Sequence, residues 1–352
     1  MKCLSLLGLV ILAWTLGCER PAPPVVKNAR SVMGTFAEVT AVAPERTTAQ
    51  RAVEAAYARL DDVNRLMSDY VADSEVGRLN ALTAGDSLVV SPETFHCLEQ
   101  GVRIAELSGG AFDPTCRPLV ALWKRAGQED RLPTDADLQQ VLTSVGWRKL
   151  RLDPATRRVT PTVDGMQIDL GGIAKGYALD LAAEAMRAAG ATSGLVDVGG
   201  DVVAFGPRED GRPWRIGVKH PFQAGLLLTL SLTDLAVATS GVQQRFNTVA
   251  GRRYSHIVDP RTGCPAEQAP AVTVIAPDGL TADAWATAFS VLSVDEGAAL
   301  LEHTPRPGVE VMWVLPGPAD PLIRQTEGFA VYVADGANTK PANPHGSNAG
   351  TP

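Results

Sequence analysis

The ten residues Ile168-Asp169-Leu170-Gly171-Gly172-Ile173-Ala174-Lys175-Gly176-Tyr177 constrain this chain more than any other stretch. An apolar run, Met166 to Leu170, meets two glycines and then an Ala-, Leu- and Met-rich segment, Tyr177 to Ala189. That order predicts a short strand, a tight glycine turn and a helix. Such a turn gathers free backbone N–H groups, a lysine and an aspartate around one point, which suits a phosphorylated ligand and a cation. It lacks the Ser or Thr after the lysine and the outer glycine spacing of a Walker loop, and it is not G-x-G-x-x-G. A turn that merely starts a helix fits the segment equally well.

Residues 1–18 read as a secretory signal, with Lys2 near the start, an apolar run from Leu4 to Leu16, then Gly17-Cys18. The run is too short for a stable membrane span. A cysteine after a small residue at such a point predicts lipoprotein processing, with Cys18 as the lipidated N-terminus. Thr15 departs from the Leu usual three residues before that cysteine. Plain secretion and an uncleaved anchor are the alternatives. Residues 19–28 then form a stiff Pro-rich linker, 29–335 the folded domain and 336–352 a disordered polar tail. The expected location is the periplasmic side of the cell envelope, on a lipid anchor.

With Cys3 and Cys18 set aside, Cys97, Cys116 and Cys264 remain, an odd number without metal-ligand spacing. A disulfide framework is not expected, so the core must rest on apolar burial, which a 45% apolar composition permits. The net charge of −7, with no Lys or Arg runs, argues against nucleic acid as a partner.

Periodicity predicts a strand from Ala29 to Ala43, opened by Met33-Gly34-Thr35, then an amphipathic helix ending near Met67. Further helices are expected over Ser91–Ser108, with Pro92 in its first turn, over Asp135–Val145 and over Ala282–Leu292. Beyond Leu195 the chain reads as β-rich, with strands at 195–198, 201–204, 214–218, 227–232, 236–239, 272–276, 309–315 and 329–333. The fold class is α/β (or α+β), one compact body of two packed lobes.

Three further constellations could carry chemistry. In Thr281-Ala282-Asp283-Ala284-Trp285-Ala286-Thr287, helical spacing puts Asp283 and Thr287 on one face, a hard oxygen pair suited to Mg²⁺. The competing reading is an ordinary first turn, with Thr281 as N-cap and Asp283 favouring the helix dipole. His256 stands before the turn Asp259-Pro260-Arg261-Thr262-Gly263 and, of the five histidines, is the one set among residues that could fix its tautomer. With an ordinary pKa of about 6.5 it suits proton abstraction from a hydroxyl, or it is a hydrogen-bonded histidine at a strand end. In Gly109-Gly110-Ala111-Phe112-Asp113-Pro114-Thr115 the glycines would let backbone approach a flat ligand and Phe112 could stack on it, while Asp-Pro also simply marks a turn.

Together and in order, these segments, with Ser68-Asp69-Tyr70, Asp73-Ser74-Glu75, Val198-Gly199-Gly200-Asp201 and Ala236 to Gly241, resemble the ApbE family of FAD:protein FMN transferases over residues 31 to 295. The resemblance implies a T-fold-like architecture, Mg²⁺, and FAD as donor of FMN to a Thr or Ser hydroxyl of an acceptor protein, with AMP leaving. The implied acceptor is a subunit of a membrane redox complex. Carried over by motif position, Met33, Tyr70, Ala111, Phe112, Asp113, Asp169, Lys175 and Ile257 would hold FAD. Asp283, Thr287 and a main-chain carbonyl at Gly172 or Ala174 would hold Mg²⁺, and His256 would be the base.

Three positions depart from the family pattern: Asp197 replaces Asn, Val242-Gln243-Gln244 follow Thr239-Ser240-Gly241, and Trp285 replaces a small aliphatic residue. Two other outcomes stay open at this level. One is FAD hydrolysis with water as acceptor; the other is a tethered flavin-binding protein without turnover.

Overall fold

The computed structural model describes residues 22–241, 246–267, 271–303, 308–318 and 320–334. Cys18, Val242 to Gln244 and the expected tail lie outside them. The first strand of the sequence reading is two. β1 (Val25–Val32) and β2 (Thr35–Val42) form an antiparallel hairpin, and Met33 and Gly34 are its turn, at φ 52° and 69°. Two consecutive left-handed residues match the twist of the flanking strands, which is why the chain reverses here. β1 also takes Val25 to Asn28 out of the expected linker.

The helix α1 (Arg46–Met67) buries Ala49, Val53, Tyr57, Leu60, Val63 and Met67 as a stripe at three- and four-residue steps. A smaller group follows: α2 (Glu75–Leu79), β3 (Leu88–Val89), α3 (Pro92–Leu107), α4 (Arg117–Glu129), α5 (Asp135–Leu142), β4 (Leu150–Asp153) and β5 (Arg158–Pro161). Its strands pair in the order β3-β5-β4. The chain then runs through α6 (Ala174–Ala188), β6 (Ser193–Val198), β7 (Asp201–Phe205), β8 (Trp214–Lys219), β9 (Leu226–Leu232), β10 (Leu235–Gly241), β11 (Phe246–Val249) and β12 (Arg252–Ser255). It ends with β13 (Ala271–Ala276), α7 (Gly279–Val291), α8 (Val294–His303), β14 (Glu310–Leu315) and β15 (Leu322–Gln325).

Eight strands make one sheet in the order β1-β2-β6-β7-β10-β13-β14-β15, antiparallel at every join. The fold is therefore α+β. Alternation along the central strands sorts side chains to opposite faces. From β13, Val272, Val274 and Ala276 enter the core shared with α1, α6 and α7, while Ala271 and Ile275 enter a second core under the β8–β9 hairpin. β8 obeys the same rule, with Trp214, Ile216 and Val218 buried and their neighbours exposed. Val90, Leu98, Ile104 and Val159 of the smaller group join the same core as Val39 and Val196 of the large sheet. The two expected lobes thus share one interior.

Other expectations need correction. Met166 to Leu170 is extended but joins no ladder. Gln167 makes an isolated parallel bridge with Cys116, Asp169 N–H donates to Pro114 C=O at 2.8 Å, and the Asn80 side chain accepts from Ile168 N–H (2.6 Å) and donates to Ile168 C=O (3.0 Å). Residues 329–333 are mostly 3₁₀ turn, Glu327–Tyr332, with only an isolated bridge from Val333 to Leu230. The helix read from Tyr177 begins at Ala174, and that read from Ala282 begins at Gly279. Thr281 is not its N-cap; Asp278 is, accepting Thr281 N–H at 2.7 Å.

Candidate active site

The glycine turn is the hub of the site. Leu170 is buried beneath it and Gly171 lies exposed above. Asp169 shapes it by accepting Gly171 N–H at 2.7 Å, and Leu170 C=O accepts both Ile173 N–H (3.0 Å) and Ala174 N–H (2.8 Å). The expectation of free N–H groups therefore needs correction at these positions: donors that the start of a helix leaves without intrahelical partners are taken here by Asp169 and Leu170.

Gly172 brings three distant segments to one point. A Cβ there would lie 2.8 Å from Thr287 Oγ1 and 3.3 Å from Phe112 Cε2, so only hydrogen fits between the turn, α7 and the Gly109–Thr115 segment. Asp283, one helical turn before Thr287, is 2% exposed. Its Oδ2 accepts Gly176 N–H at 3.0 Å and its Oδ1 accepts from Lys175 Nζ at 2.9 Å. The same ammonium donates to Asp201 Oδ2 at 2.6 Å, and Asp201, 6% exposed, accepts Thr239 N–H from β10 at 3.1 Å. Asp201 is not among the site residues the sequence points to; its one local signal is the end of Val198-Gly199-Gly200-Asp201, where a two-residue glycine turn starts β7 on the site.

Two carboxylates facing one ammonium give this cluster an excess of acidic groups. Burial pushes the Asp283 carboxyl above its ordinary pKa; Lys175 opposes this and the Asp201 charge adds to it. Burial works to lower the Lys175 ammonium, but Asp201 and Asp283 outweigh it and hold it above the usual lysine range. No three His, Cys, Asp or Glu side chains among the described residues form a metal cluster. The donor set here is of another kind, carboxylate plus hydroxyl plus backbone oxygen with an excess of acidic groups, and that chemistry fits a hard divalent cation.

The remaining expected ligand-holding residues fall into two sets. Ala111, Phe112 and Asp113 are buried, at 1%, 4% and 6% exposure. Asp113 is fully engaged, Oδ1 accepting from Thr115 N–H (2.8 Å) and Oγ1 (2.7 Å) and Oδ2 from Trp147 N–H (2.9 Å). Phe112 packs against Gly172 and supports the turn from below. Tyr70, by contrast, is 80% exposed, with the Arg117 guanidinium and the Lys124 ammonium each 5.8 Å from its ring centre. Arg117 is ion-paired to Asp69. Met33 and Ile257 are half-buried against the main core.

His256 follows the end of β12 and is half-buried. The turn beyond it is closed by Gly263 N–H to Asp259 C=O (2.8 Å), with Gly263 at φ 78°, and Trp123 Nε1 on α4 donates to Gly263 C=O at 2.8 Å. Two of the departures from the family pattern, Asp197 and Trp285, find local explanations; Val242 to Gln244 lie outside the described residues. Asp197 accepts Gly200 N–H at 2.8 Å and tightens the β6–β7 turn. Trp285, 1% exposed, packs on Phe289 with ring centres 5.2 Å apart, in the core.

Comparison with known proteins identifies the family and the fold. The profile of the ApbE family matches residues 33–313. An FAD:protein FMN transferase of Vibrio cholerae is 32% identical over 336 residues, covering 94% of this chain and 96% of that one. One from Treponema pallidum is 34% identical over 320 residues, covering 86% and 87%. The crystal structure of the ApbE protein from Thermotoga maritima superposes with a TM-score of 0.81 at 32% identity, covering 89% of this chain and 100% of that one.

Proposed function

This chain belongs to the ApbE family, and from that premise we propose that it moves FMN from FAD onto a Thr or Ser hydroxyl of an acceptor protein, releasing AMP. The observation that carries this reading is the double tie at Asp283. Lys175 and Gly176, from the turn that would receive the diphosphate, both donate to the carboxylate that would receive the cation.

In this reading the acceptor oxygen bonds to the FMN phosphorus as the bond from that phosphorus to the bridging oxygen breaks, and AMP leaves with the bridging oxygen. The hydroxyl proton passes to His256, which is half-buried just after β12. Asp283, Thr287 and the carbonyl of Gly172 or Ala174 would hold Mg²⁺, which when bound neutralises charge on the non-bridging oxygens. Lys175 adds a cation beside the same oxygens. Tyr70, Asp169, Met33 and Ile257 would hold the flavin nucleotide, with Ala111, Phe112 and Asp113 as the support beneath.

Incubation with FAD, Mg²⁺ and an acceptor domain bearing a Thr or Ser flavinylation motif tests this. The acceptor should gain the mass of one FMN less one water, with AMP in equal amount. AMP formed at the same rate without acceptor would make water the acceptor instead, and FAD retained with no AMP would make the protein a binder. We place the enzyme on the periplasmic side of the envelope, held by lipid on Cys18 and acting on membrane redox complexes. Incorporation of labelled palmitate that is lost in Cys18→Ala tests the anchor.

A further inference from the structure

The Lys175 ammonium binds the carboxylate that the cation needs. It lies 2.9 Å from Asp283 Oδ1 and 2.6 Å from Asp201 Oδ2, and Asp201 and Asp283 are 6% and 2% exposed. Asp283 Oδ2 is also committed, to Gly176 N–H, so a cation arriving at this carboxylate meets Lys175 at the other oxygen. Lys175 need not leave the site to make room. Asp201 is fixed to the sheet through Thr239 N–H and stands ready to keep the ammonium. The Lys175 side chain is still 30% exposed, which leaves it a direction in which to move.

We infer that Lys175 is an internal competitor for the Mg²⁺ site and that Asp201 is the positioning residue that shares it with Asp283. Cation binding shifts the ammonium off Asp283 toward Asp201 and the solvent side. There it meets the flavin nucleotide's diphosphate, so cation and nucleotide reinforce each other's binding. This rests on the cation-and-flavin reading above and goes beyond it, because it assigns Asp201 and predicts the order of affinities.

Calorimetric titration of the full chain with MgCl₂, with and without FAD, tests the inference without any turnover. Without FAD, Lys175→Met should bind Mg²⁺ more tightly than the wild type, by about tenfold. Asp201→Asn, which leaves the ammonium to Asp283 alone, should bind it more weakly by a similar factor. In the Lys175→Met background the Asp201→Asn change should have little further effect, since Asp201 acts through the lysine. The tightening of Mg²⁺ binding by FAD should shrink in Lys175→Met. Circular dichroism confirms folding of each variant, and Lys175→Gln serves if the Met variant does not fold. Lys175→Met binding Mg²⁺ no more tightly than wild type overturns the inference, as does an Asp201→Asn effect that persists without the lysine. A wild type that binds no Mg²⁺ at all overturns the cation reading itself.

Discussion

Asp180 Oδ1 accepts the Gly279 N–H at 2.6 Å, so a carboxylate on α6 closes the first turn of α7. Its Oδ2 accepts Leu280 N–H at 2.9 Å. Asp180, near the middle of α6, thus ties the helix that carries Lys175 to the start of the helix that carries Asp283. Burial pushes the Asp180 carboxyl up to about 7, against the pull of these two N–H bonds. The folded state therefore holds a proton that the unfolded chain, with an ordinary carboxyl, releases near pH 4. The stability difference between wild type and Asp180→Asn should fall as pH rises from about 4 to about 7 and level off above. Urea melts across that range measure it, and a flat difference contradicts it.

Gly176 and Gly279 meet backbone to backbone where α6 and α7 begin. A Cβ at Gly176 would lie 2.0 Å from Gly279 C=O, and one at Gly279 would lie 2.4 Å from Gly176 C=O. Neither contact can be relieved by rotating a side chain. Gly176→Ala should cost about 3 kcal/mol or more in denaturant unfolding and weaken Mg²⁺ binding, because Asp283 moves with the helix. An alanine variant of wild-type stability would show that the helices can separate freely.

His256→Asn should lower the rate of FMN transfer by about a hundredfold or more, with FAD affinity changed only a few-fold. Single-turnover transfer to the acceptor, beside equilibrium FAD titration, separates the two effects. Full transfer by the variant would remove the histidine from its role as base.

Trp285 packs on Phe289 with the rings tilted by 37°, and Phe289 meets Trp313 edge-on with ring centres 5.6 Å apart, linking α7 to β14. Trp285→Ala should cost about 3 to 5 kcal/mol, read from the denaturation midpoint. A Phe replacement should recover part of that. A loss of FAD binding in a fully stable Trp285→Phe would instead give the ring a role at the ligand.

Where a segment's structure follows from its own period, the chain could be read directly. The stripe Ala49, Val53, Leu60, Val63 and Met67 and the alternation of Trp214, Ile216 and Val218 are examples, as each repeats the geometry of one element. Short and shared elements were not legible. Nothing local distinguishes Met33-Gly34 as a turn between two strands from the opening of one. The β3-β5-β4 sheet and α4 went unread because their stability comes from distant partners. The tie between Asp113 and Trp147 N–H, 34 residues away, is equally absent from either local stretch.

Which residue types could do the chemistry, and their order, is already set by the chain's local motifs, since motif spacing is a property of local backbone geometry. The sequence also determined the helices and strands long enough to display a period. Only the tertiary structure decided that Lys175 lies between Asp201 and Asp283, the latter 108 residues further along, and that Gly172 closes on Thr287 and Phe112. Those contacts depend on how an antiparallel sheet and two crossing helices stack. Their energy comes from desolvated charges and close packing, which no single stretch of chain contains.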